Sequence, residues 1–73
     1  MKVYIVSHHL PTVSLNHGAF SSREKAFIYI GRQLEEHREC VFDYDHDSET
    51  NIWSIFTSKG TWTIEPMPLD NIG

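Results

Sequence analysis

Asp43, Asp45 and Asp47 stand at alternate positions in the run Asp43-Tyr44-Asp45-His46-Asp47-Ser48-Glu49, which contains no Lys or Arg. A helix-flanked calcium loop opens with oxygen ligands at this spacing. The pattern then breaks: Ser48 stands where that loop needs Gly for its sharp turn, and Ser54 where a bidentate Glu belongs. Calcium chemistry is therefore not encoded. The run carries a charge of −4, equal to the net charge of the whole chain. Such a concentration either solvates a hairpin loop between Phe42 and Ile52 and guards sheet edges, or serves a partner. In the second reading Asp43, Tyr44, Asp45, Asp47 and Glu49 form an acidic loop that meets a basic protein groove and imitates phosphates there.

Five histidines raise the question of a metal. His8 and His9 are adjacent, so in a strand they face opposite sides. His17, His37 and His46 fall on separate expected elements, and no C-x-x-C or H-x-x-x-H spacing defines a ligand set. No metal is assigned. Cys40 lacks any nucleophile signature and reads as a buried, inert thiol. The chain has no Gly-rich phosphate loop, no G-x-S-x-G elbow and no paired-carboxylate motif. An enzyme and a cofactor are both unexpected.

The 73 residues suffice for one small domain, near the size at which a core holds a fold unaided. The single cysteine excludes an internal disulfide and fits a reducing compartment. No apolar run approaches the roughly 20 residues that span a bilayer. The start, Met1 to Val6 followed by Ser7-His8-His9, is too short and polar for a signal peptide. A cytoplasmic protein is expected. Net negative charge argues against direct nucleic-acid binding, which needs a basic face.

These side chains need elements to hold them. Residues 2–7 read as an interior strand, apolar on both faces. Residues 8–18 read as a loop with a short strand around 12–15. Ser21 with Glu24 forms a capping box for a helix over 22–37. Ala26, Phe27, Ile30, Leu34 and His37 share its core stripe. Ile28 points the opposite way with Tyr29 beside it, an apolar pair that marks a contact with a partner or a second copy. Gly31 suggests a close crossing over the sheet. Residues 40–44, 52–57 and 61–65 read as strands, the last two joined by a tight turn at Ser58-Lys59-Gly60. Pro66 and Pro68 are expected to end the sheet, leaving 69–73 as a tail. Trp53 and Trp62 read as core residues that pair across the hairpin. The expected fold is α+β: one helix on a small, mainly antiparallel sheet of three to five strands, in the order β-(β)-α-β-β-β.

The run Gly18-Ala19-Phe20-Ser21-Ser22-Arg23-Glu24-Lys25-Ala26, after a Val-Tyr-Ile-Val strand, resembles very small phage and bacterial proteins of unknown function. Those begin with such a strand and a G-x-F-S-S-x-E-K-A helix start, and close on a tail comparable to Pro68-Leu69-Asp70. The resemblance implies this fold, a mobile-element or bacterial origin and, for a phage protein, the host cytoplasm; it implies no activity. The layout is also similar to small phage inhibitors of bacterial defence. The resulting expectation is a non-enzymatic interaction protein that binds, and by binding inhibits, a host defence or nucleic-acid-handling protein. Two other readings stay open: a small metal- or ligand-binding regulator using His and Asp side chains, and a structural accessory protein that works as an oligomer.

Overall fold

Lys2–His9 form β1, where β-branched and aromatic residues favour a pleated strand with neighbours on both sides. The computed structural model describes residues 2–68, so the expectations for the tail lie outside the described residues. Ser14–Phe20 follow as β2, Arg23–Glu36 as helix α1, then Val41–Asp47 as β3, Ile52–Thr57 as β4 and Gly60–Pro68 as β5. All four strand pairings are antiparallel, and the sheet order is β2-β1-β5-β4-β3. One helix on a five-stranded antiparallel sheet is the α+β architecture that the residue pattern implies. No helix among the described residues is long and apolar enough to cross a membrane.

Three element boundaries depart from the expectation, each for a local reason. β2 is a full strand rather than a loop with a short extended piece. Asn16-His17-Gly18 conceals it: Gly18 adopts φ 124°, and the pairing skips from Val6–Gly18 to Ser7–Asn16, leaving His17 as the extra residue of a bulge. β3 continues through Asp47, so the acidic run is mostly strand and only Ser48–Asn51 make the turn. β5 passes through Pro66 to Pro68. Beyond the Trp53–Ile64 pair β5 has β1 on one side only, and a missing N–H on the open side removes nothing from the ladder.

The helix is capped by Ser22, not Ser21. The Ser22 hydroxyl accepts the Lys25 amide, while the Ser21 hydroxyl accepts only the Lys25 ammonium. At the other end the Glu39 amide donates to the Leu34 carbonyl and the Arg38 amide to Glu35, a Schellman closure with Arg38 at φ 53° where Gly is usual. This closure turns the chain back and carries Glu39 over the sheet.

The core is Val6, Ala26, Ile30, Ile55, Trp62 and Ile64, with Phe27 and Leu34 half-buried against it. His37, expected on the core stripe, is the exposed C-cap. Trp62 stands opposite Ile55 and Trp53 opposite Ile64, so the two tryptophans share the helix-side face without pairing directly. Gly31 is not a close crossing: a Cβ there would meet nothing within 4 Å. Gly31→Ala should therefore stabilise the fold by about 1 kcal/mol, the propensity difference in an exposed helix interior. An unchanged or lower urea midpoint would contradict this placement.

Candidate functional site

Two regions of the molecule carry unassigned chemistry, and the first is the acidic strand. Every residue of β3 is exposed, and the strand forms one edge of the sheet. Asp43, Asp45 and Asp47 stand opposite Phe56, Ser54 and Ile52, on the face away from the helix. Tyr44 and His46 stand opposite Ile55 and Trp53, on the helix side, and the His46 ring stacks on Trp53 at 4.3 Å. Phe42, at the bulge between Val41 and Asp43, is 72% exposed and Tyr44 65%. Extended backbone lays the three aspartates out in a row, where a calcium loop would wrap them around an ion. Asp47 closes the turn by accepting the Glu49 and Thr50 amides, which holds its carboxyl below the usual range. The Asp43 carboxylate takes the Tyr44 amide at 2.8 Å, covering one donor of the strand.

The helix does not reach this end. α1 lies against β1, β2 and β5, and toward β4 Phe27 meets Trp53 edge-on. β3 and β4 thus project as a wing on which Val41, Phe42, Tyr44 and Phe56 are exposed.

Ile28 is exposed as expected, at 58%. Tyr29, beside it, is less exposed. It is half-buried against the core and its hydroxyl pairs with His17 Nδ1 at 2.7 Å. The helix turns Tyr29 toward β2, where the bulged His17 meets it. Ile28 and one side of Tyr29 line a shallow groove together with Phe20, Lys25 and Arg32.

The second region was not legible in the residue spacing. The bulge in β2 turns His17 to the helix side, where it meets His8 and Trp62. The His8 ring lies flat on Trp62, with centroids 4.0 Å apart. The Schellman turn delivers Glu39, whose Oε1 accepts the Trp62 indole N–H at 3.1 Å and lies 2.8 Å from the Thr57 hydroxyl and 3.6 Å from His8 Nε2. Thr57 has one hydroxyl proton and also faces the Gly60 carbonyl at 2.9 Å, so it satisfies one of the two acceptors at a time. Among the described residues, His8 Nε2 and His17 Nε2 are buried without a hydrogen-bond partner. Burial pushes His8 below its ordinary pKa; the Glu39 carboxylate opposes this, while His17, His9 and His37 add to it.

His8, His17, Glu39 and Trp62 line a cavity of about 240 Å³, with Leu10, Leu15 and Gln33 in its walls and His37 and Lys59 also lining it. The Lys59 ammonium is held on the His37 carbonyl at 2.9 Å. Among the described residues no group of three or more His, Cys, Asp or Glu is arranged to hold a metal ion. His9 points to the other face and bonds Ser14 and Thr63. Cys40 is exposed rather than buried, because it lies in the connection between α1 and β3 where no element covers it. Compared with protein-family models, curated proteins and solved structures, the chain finds no match in any of the three, and the likeness to small phage and bacterial proteins rests on its own residues alone.

Proposed function

We propose that this chain is a non-enzymatic interaction module that docks a basic protein surface on the β3–β4 wing. One observation carries the reading: the helix leaves this part of the sheet uncovered, with Phe42 and Tyr44 exposed on the strand that carries Asp43, Asp45 and Asp47. Large apolar side chains clustered on an uncovered surface mark contact sites, and aromatic ones dominate interface energies. The charge selects the partner. Pairing of two β3 edges from two copies would bring the aspartate rows together, which like-charge repulsion disfavours. A basic partner is steered in and fits. Asp43, Asp45 and Asp47 recur at about 6.8 Å along one face. A regular row of anions is what a nucleic-acid-binding groove accepts, so a nucleic-acid-handling protein is the favoured partner class, inhibited by occupation of its groove. Because Asp43 already covers the Tyr44 amide, docking runs through side chains more than through strand addition.

Neutralising Asp43, Asp45, Asp47 and Glu49 to Asn and Gln should leave the fold intact. It should also slow association with a basic partner retained from host lysate and flatten the salt dependence, since steering is screened over about 8 Å at physiological ionic strength. Phe42→Ser with Tyr44→Ser should instead speed dissociation. Rates and salt slopes indistinguishable from wild type in both variants would reduce the strand to a solvated edge.

A further inference from the structure

The Glu39 side chain is 1% exposed, and among the described residues the one basic side chain within salt-bridge distance of its carboxylate is His8, at 3.6 Å. His8, itself 8% exposed, is biased toward the neutral form by its burial. Lys59, the nearest ammonium on the cavity wall, is turned onto the His37 carbonyl instead. A carboxylate removed from water needs a compensating positive group or several hydrogen bonds. Here the hydrogen bonds converge on Oε1, from Trp62 and from the Thr57 hydroxyl that it shares with the Gly60 carbonyl, and none is made to Oε2 among the described residues.

The cavity beside it offers the complement of a particular ligand. Trp62 and His17 present aromatic surface, Leu10 and Leu15 apolar surface, and the buried His8 and His17 nitrogens can accept N–H donors. We propose that the cavity binds a small organic cation, an amidinium or primary ammonium on a flat apolar stem, with Glu39 as its counter-charge. The cationic head donates to Glu39 and to the two imidazoles, and the stem lies between Leu10, Leu15 and Trp62. About 240 Å³ admits a single ring with one charged substituent. An anion of the same shape would meet the Glu39 charge unscreened. This inference is independent of the protein-docking reading, since none of the cavity residues named belongs to β3.

The test titrates the full chain with benzamidine and, separately, with benzoate, which has the same ring and the opposite charge. Binding is followed by the Trp62 indole N–H resonance and by thermal stability, which a ligand of the native state raises. Benzamidine should shift the Trp62 signal and raise the melting temperature, and benzoate should do neither. Glu39→Gln keeps an acceptor for Trp62 and should weaken benzamidine at least tenfold. Leu15→Trp fills the cavity from a partly exposed wall position and should abolish binding, even if the glutamine variant folds poorly. Neutralising Asp43, Asp45 and Asp47 should leave benzamidine affinity unchanged. Three results would each overturn the proposal: equal binding of benzoate, full benzamidine affinity in Leu15→Trp, or loss of affinity on neutralising β3, which would place the amidinium on the acidic strand. Saturable zinc binding that shifts His8 and His17, with no response to benzamidine, would replace the organic cation by a metal.

Discussion

Trp62→Ala is expected to cost about 3–5 kcal/mol, enough to unfold most of the population of a domain this small. Trp62 is 1% exposed and sits on the central strand β5 between β1 and β4. Its removal opens a cavity beneath α1, takes away the ring on which His8 lies, and deletes the indole donor to Glu39. Trp53→Ala serves as the comparison. Trp53 is half-buried, meets Phe27 edge-on and stacks on the exposed His46, so its loss should be clearly smaller. Circular dichroism and urea midpoints of the two variants measure the difference. A cooperative Trp62→Ala protein with a midpoint near that of wild type would refute the position given to this side chain.

Glu39→Ala is expected to cost about 2–3 kcal/mol, because it leaves the Trp62 indole N–H without its acceptor and empties a packed position. Glu39→Gln should stay within about 1 kcal/mol, since the amide oxygen still accepts and no charge is buried. The same cluster sets a pH dependence. His8 has a lower pKa in the fold than the ordinary 6.5, so below that value the unfolded chain binds the proton more readily. The His8 contribution is therefore fully present above about pH 6.5 and declines as pH falls from there toward the depressed folded value. Urea midpoints between pH 5 and 8 should drop on the acid side. His8→Phe, which keeps the flat contact with Trp62, should flatten that slope. An unaltered slope in His8→Phe would assign the acid sensitivity to another group.

Local pattern carries far in some parts of this chain and fails in others. The helix and its stripe of Ala26, Phe27, Ile30 and Leu34 follow from 3.6-residue periodicity, and β4 and β5 from alternation and the Gly60 turn. Each depends on neighbours a few residues apart, and Gly60 does adopt φ 137°. β3 was half visible. Aspartate disfavours strands, yet Tyr44-Asp45-His46-Asp47 alternates rings with acids, a period of two that marks an extended segment.

The amino-acid sequence by itself determined one helix, an antiparallel sheet, an acidic segment centred on His46, and the absence of any spaced catalytic or metal-ligand motif. Tertiary structure alone decided that the acidic segment is an uncovered edge strand, because strand order and the reach of one helix are properties of the whole sheet. It also decided that His8, His17 and Glu39, far apart in the chain, meet on Trp62. That meeting depends on a one-residue bulge in β2, of which Gly18 at φ 124° is the one trace in residue types, and on Arg38 adopting a left-handed conformation, which leaves none. A bulge reverses which face a side chain takes, and a helix closure aims the residue after it. Both act through geometry that only the completed sheet and helix impose.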